Sequence, residues 1–210
     1  MHFDDITSRL VERLKEPLPG AIAQARLAPQ PRRQWPPGFD PATIRHAAGL
    51  ILVFPIADRP YIVLTRRADT LGRHGGQISL PGGVVDPGET VEHAALREAH
   101  EEVALPVGDA RVLGRLTPLD IPISGFRLHP VIAAADRRPP FAAAAAEVAG
   151  ILEIGVADLC NRRHLVSRER EIEGRRLVVP AFQIGGDEVW GATAMVLAEF
   201  AGLLGWPDAF

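Results

Sequence analysis

Residues Gly82 to Leu105 read GGVVDPGETVEHAALREAHEEVAL, and the rest of the chain is interpreted from this stretch. It opens with a turn too rich in Gly and Pro to be helical. It then becomes a run of good helix formers ending in a dense acidic cluster. Thr90 or Glu89 can start the helix, and nothing before Val103 would break it. Glu98, Glu101 and Glu102 stand at i, i+3 and i+4, so their carboxylates share one face. Val91, Ala94 and Ala95 continue that stripe, so the glutamates extend a face that packs on protein, while His93, Arg97 and His100 point elsewhere. Like charges at this spacing cost roughly 0.2–0.5 kcal/mol each in an isolated helix, and more when desolvated. A cation is therefore expected among them, and a hard divalent ion with oxygen ligands fits, Mg²⁺ first.

Just ahead of the acidic helix, the loop VLTRRADTLGRHGGQISLPGG (Val63 to Gly83) carries Arg66, Arg67 and Arg73 with His74 and several glycines. Guanidinium forks match phosphate oxygens, and glycines let backbone N–H groups approach a phosphate closely. Such a loop can hold a polyphosphate against a metal. Further upstream, Ala47–Phe54 and Tyr61–Thr65 read as a strand hairpin bounded by Pro55 and a turn around 57–60. Phe3, Ile6, Leu10 and Leu14 recur at helical spacing, with Asp4 and Asp5 early, where the helix dipole favours acid. The proline-dense segment Pro17 to Pro41 is expected to be an extended or irregular arm, anchored by Trp35 and Phe39.

Downstream, Val112–Thr117 reads as a strand, and Ser124–Ala134 as a turn and a strand closed by Pro130. FAAAAAEVAGILEI after Pro139 is helix-forming in composition, or a permissive linker. Asn161–Arg176, dense in mixed charge, is expected to be a mobile solvated loop. Leu177–Ile184 reads as a strand, followed by a turn at 185–187 and an amphipathic last helix with Thr193 as candidate cap.

The chain is 210 residues long, 47% hydrophobic and 23% charged, enough for one substantial core. A net charge of −3 offers no general attraction to nucleic acid or membrane, so recognition must be local. The lone Cys160 permits no internal disulfide, and no apolar run is long enough to span a bilayer. A cytoplasmic enzyme domain is expected, as monomer or homodimer.

With Gly83 first, the opening stretch resembles the Nudix box. Gly83, Glu89, Arg97, Glu98, Ala99, Glu101, Glu102 and Leu105 fall in register, and Ala104 stands where that family has Gly. That substitution suggests a slightly different exit from the helix. The preceding loop resembles the motif of the coenzyme A diphosphatase subfamily at Leu64, Thr65, Arg67, Ala68, Gly76, Pro81, Gly82 and Gly83. Gly72 replaces its Arg, with Arg73 adjacent, and Leu80 replaces its Phe. Ser124-Gly125-Phe126-Arg127 with Pro130, and Trp190 to Ala194, resemble the same subfamily.

The resemblance implies an α/β Nudix-type α/β/α sandwich with a mixed central sheet over residues 46–210, with a helix and proline-rich arm over 1–45. It implies hydrolysis, with Mg²⁺ or Mn²⁺, of the diphosphate of coenzyme A or acyl-CoA. Glu98 and Glu102 would be the principal metal ligands with Glu101 assisting, and Glu98 or Glu101 would take the proton from water. Arg66, Arg67, Arg73, Gly82 and Gly83 would bind substrate, while Arg97 pairs with Glu89 in support. Glu147 is a further candidate acid, with Glu153 nearby in sequence. The alternatives are another nucleoside diphosphate conjugate such as ADP-ribose or NADH, a capped RNA, or a nucleotide-sensing domain without catalysis. Intact Glu98, Glu101 and Glu102 argue against the last, since a silent domain has no use for their repulsion.

Overall fold

Two antiparallel strands, Arg45–Ile56 (β1) and Arg59–Arg67 (β2), turn through Ala57 and Asp58, both at positive φ. This is the two-residue hairpin geometry that matches strand twist, and Asp58 favours it as a short polar side chain. β1 runs on to Ile56 because Pro55 lies opposite Pro60 in the register. The computed structural model describes residues 1–68, 76–172 and 174–205; Gly72, Arg73 and His74 lie outside them.

β1 and β2 pair only from Val53 to Ile56 against Arg59 to Ile62, and then part. Into the gap comes the segment Ile78–Ser79 (β3), Leu80, Pro81 and Gly82–Val84 (β4). β3 pairs with β2 and β4 with β1. The far edge of β1 pairs in parallel with Phe126–Ala134 (β7), which also takes Arg111–Arg115 (β5) and Leu119–Ile121 (β6). Val148–Gly155 (β8) covers the far edge of β2. The result is one mixed eight-stranded sheet.

Alternation along β1 sends Ala48, Leu50, Leu52 and Phe54 to one face. There they meet Ala94, Ala95, Ala99 and Val103 of the helix Val91–Val103 (α3). Ile51 and Val53 face the other layer, made by Phe3–Arg13 (α1), Gly20–Ala25 (α2), Val156–Leu159 (α4) and Gly191–Leu203 (α5). This is the expected α/β/α arrangement with its N-terminal helix. No described helix is long and apolar enough to cross a membrane.

A second sheet of Leu165–Ile172 (β9), Arg175–Ile184 (β10) and Asp187–Trp190 (β11) leans on this frame. It corrects the expectation of a mobile loop over Asn161–Arg176: the mixed charges alternate along a strand whose partners satisfy its backbone. Pro130 also sits inside β7 rather than closing it. Its carbonyl accepts from Leu116 N–H at 3.0 Å, so its missing N–H faces the break between β5 and β6, where no ladder bond is lost.

Of the two readings of FAAAAAEVAGILEI, the linker holds over 141–147 and the helix does not; the rest is β8, because the edge of β2 offers Val148–Gly155 backbone partners. The last helix is buried nearly all round instead of amphipathic. Thr193 does not cap it; its hydroxyl donates to the Ile78 carbonyl at 3.2 Å. The arm, expected to be irregular, contains α2, since 20–25 is free of proline. The fully buried Glu199 of α5 holds it: Oε1 accepts from Gly20 N–H (3.1 Å) and Thr117 N–H (3.2 Å), and Oε2 from Gln24 Nε2 (2.7 Å). Trp35 stacks on Phe39 at 4.0 Å and donates to Asp120, so it anchors the arm.

Candidate active site

The turn before α3 is set by Pro87 and Gly88, the latter at φ +84°, with Glu89 N–H closing on the Asp86 carbonyl at 3.0 Å. Thr90 caps the helix by accepting from His93 N–H at 3.2 Å. At the other end Ala104 adopts φ +55°, the left-handed conformation usual for glycine, so the expected different exit is not seen. Alanine takes it at a local cost of about 1–2 kcal/mol.

Between these ends Glu102 is only 4% exposed. Burial raises its pKa to about 7, against the Gly82 N–H that donates to Oε2 at 3.1 Å and the positive charge of Arg67. Burial likewise raises Glu98. Glu101 is largely exposed. Arg97, expected to point away, reaches across Glu98 and Glu101 but not to Glu102. It grips Glu89 through two bonds (3.1 and 3.0 Å), the Val84 carbonyl (3.0 Å), Glu98 (2.8 Å) and Glu101 (3.2 Å). A long side chain covers the turn N-terminal to its own Cα, which places the guanidinium over the loop. Hydrogen bonding from Arg97 lowers the Glu89 pKa, and Glu89 in turn raises that of Arg97.

Both glycines are close approaches. A Cβ on Gly83 would meet the Glu98 carboxyl at 2.4 Å, and one on Gly82 would meet the Ala48 carbonyl oxygen at 2.2 Å. Gly83 thus lets β4 lie against the carboxylate.

Among the described residues no three His, Cys, Asp or Glu side chains converge as a ready metal cage. The donor set nevertheless suits a hard divalent ion: Glu98 and Glu102 are desolvated carboxylates of like charge, and Mg²⁺ or Mn²⁺ is commonly completed by waters and substrate phosphates. Glu147 sits close enough for its charge to raise both Glu98 and Glu102. The alanine linker brings it there, Ala142 and Ala144 N–H bonding the Val103 and Glu102 carbonyls at 3.1 and 3.0 Å. Glu153 is instead tied to Arg138.

Gly82 and Gly83 open onto a cavity of about 1010 Å³. Arg67 lines it, and among the described residues no carboxylate lies within ion-pair distance of its guanidinium. Arg66 does not line it; it is bound to Asp187 in a separate recess. The sequence reading missed other walls: Arg32 and Arg33 of the arm, Ile121 to Ile123, and Arg170, Ile172, Arg175 and Leu177 of the β9–β10 hairpin. The Arg32-Arg33 pair set among prolines was the one available signal.

The NUDIX domain model matches residues 44–159. The chain is 38% identical over 165 residues, 76% of its own length and 80% of the other's, to proteins called "Uncharacterized Nudix hydrolase NudL" in Yersinia pestis (strain Pestoides F) and Yersinia pseudotuberculosis serotype O:1b (strain IP 31758). A crystal structure of a Nudix hydrolase from M. smegmatis, RenU, superposes with a TM-score of 0.56 at 22% identity, covering 80% of this chain and 89% of that one, a likeness of fold.

Proposed function

This chain belongs to the Nudix hydrolase family and hydrolyses phosphorus-containing anhydrides, and we propose that the bond it cleaves is the diphosphate of coenzyme A or an acyl derivative. One observation carries this reading. The three segments that resemble the coenzyme A subfamily are far apart in sequence, yet they contribute Arg67, Gly82 and Gly83, then Ser124, then Trp190 to Thr193 to the lining of one cavity. At about 1010 Å³ the space is far larger than a diphosphate needs, and Leu119, Ile121, Leu128 and Met195 give it apolar walls suited to a long thiol-ended chain.

Glu98 and Glu102, with Glu101 assisting, would hold Mg²⁺ or Mn²⁺. Such an ion neutralises phosphate oxygens and lowers the pKa of a bound water. The chain's own residues do the rest. Arg67 meets a diphosphate oxygen, and Gly82 N–H holds Glu102 in place. Arg97 keeps Glu98 and Glu101 oriented, and Glu98 or Glu101 accepts the proton of the attacking water. Water oxygen bonds to phosphorus as the bridging P–O bond breaks, giving 3′,5′-ADP and (acyl-)4′-phosphopantetheine.

Chromatographic product analysis with Mg²⁺ or Mn²⁺ and coenzyme A, acetyl-CoA, ADP-ribose and NADH tests this. Release of 3′,5′-ADP, with ADP-ribose and NADH cut much more slowly, is the expected result. Preferential cleavage of ADP-ribose or NADH would retain the chemistry and discard the coenzyme A assignment.

A further inference from the structure

Among the described residues the cavity is lined by five arginines, Arg32, Arg33, Arg67, Arg170 and Arg175, and by a single carboxylate, Glu171. Arg67 lies near Glu102, and Arg170 is occupied: it pairs with Glu188 at 2.7 Å and lies over the Trp190 ring at 5.0 Å. Arg32 and Arg175 are different. Both are exposed, and among the described residues no carboxylate stands within ion-pair distance of either. Asp120, whose pKa Arg32 helps to lower, is already gripped by Arg127 at 2.6 and 3.1 Å and by the Trp35 indole.

These two arginines come from segments remote in sequence that are pinned together. Gln30 and Val178 exchange both backbone hydrogen bonds at 2.8 Å, in antiparallel sense. Arg32 and Arg175 stand two and three residues from this bridge, and both line the cavity. Two like charges left facing one space repel, and an anion relieves that repulsion while accepting from both guanidinium forks.

We propose that the arm and the β9–β10 hairpin form a second anion subsite, in which Arg32 and Arg175 bind a phosphate that the substrate carries apart from the cleaved diphosphate. The inference rests on the reading of this cavity as the substrate site. It makes the proline-rich arm a specificity wall for nucleoside diphosphate conjugates bearing an extra ribose phosphate, and Arg32 and Arg175 the residues that select them.

The test is binding by calorimetry in EDTA, where no turnover occurs, with coenzyme A and 3′-dephospho-coenzyme A, which differ only in that phosphate. Wild-type protein is expected to bind coenzyme A roughly 10–100-fold more tightly. Arg32→Gln and Arg175→Gln should each weaken coenzyme A binding about tenfold and leave the dephospho form within about twofold. Equal affinity of the wild type for both, equal loss of both in the variants, or no loss in either overturns the subsite. Unfolding midpoints of the variants show whether an equal loss reflects a damaged wall.

If neither coenzyme A compound binds but NADPH or NADH does, the coenzyme A reading fails separately. The same variants are then compared on NADPH and NADH, which also differ by one ribose phosphate. A selective loss of NADPH supports the subsite, and an equal loss or none overturns it. A protein that binds none of the four overturns both.

Discussion

Two short stretches are dense in charge, 98–102 on α3 and 167–176 on the β9–β10 hairpin, and they hold that charge in opposite ways. On the hairpin, strand alternation carries Arg168 and Arg170 to Glu188 of β11, at 3.3 and 2.7 Å, with Arg168 exposed to water. On α3, helical spacing gathers three carboxylates on one face; packing on β4 buries Glu102, and Glu98 is largely covered beside Arg97. Charge density alone is common to both. What separates them is that the helix spends burial on like charges, which is costly unless a cation completes the set.

The largest effect expected from this contrast is on turnover. Glu98→Gln and Glu102→Gln should each lower kcat by about three orders of magnitude with the fold retained, measured by product release and circular dichroism. Unchanged turnover would remove α3 from the mechanism. Gly83→Ala should lower kcat roughly 10²-fold, because its methyl group drives the Glu98 carboxyl aside by about 1 Å. Gly82→Ala should instead destabilise the fold by about 1–3 kcal/mol, since it meets the backbone of Ala48 and Gly49, which cannot yield as a side chain can. Denaturant titration distinguishes the two glycines.

The carboxylate burial itself is measurable. Glu102 titrates near 7 in the folded protein against 4.5 for the unpaired group, so between these values the folded state holds a proton that the unfolded state has lost. The metal-free protein should therefore lose stability as pH rises from about 5 to 8, by up to ~3 kcal/mol from this group. Glu102→Gln should flatten that slope and be the more stable of the two at pH 8 in EDTA. A slope equal to that of the wild type would show that Glu102 is not the desolvated group. Ala104→Gly should add about 1 kcal/mol by relieving the left-handed alanine, read as a higher denaturation midpoint. On the hairpin, Arg168→Gln should change stability by less than about 0.5 kcal/mol, as an exposed pair does. A loss as large as that expected for Gly82→Ala would erase the distinction between the two segments.

Local signals were legible wherever short-range geometry decides. The Thr90 cap, the Asp86–Glu89 turn, the shared face of Glu98, Glu101 and Glu102 and the Arg97–Glu89 pair all lie within one or two turns of chain. Reading failed where a distant partner overrode propensity. The strand β8 that follows the alanine run is such a case, made by the edge of β2. So is Leu165–Ile172, where pairing with β10 turns a string of charges into a strand.

The sequence by itself determined the acidic helix, its register with Gly83 and the family, because these depend on residue type and spacing alone. Only the tertiary structure decided which arginines line the cavity onto which Gly82 and Gly83 open. Arg66 and Arg67 are neighbours in the chain, yet one is bound to Asp187 and the other lines the cavity. Arg32 and Arg175 are remote in the chain and line that same cavity. The reason is that its walls are joined by long-range contacts: backbone pairing of Gln30 with Val178 and of β4 with β1, and the buried Glu199 carboxylate holding α2. No local pattern of side chains encodes which strand edges will meet.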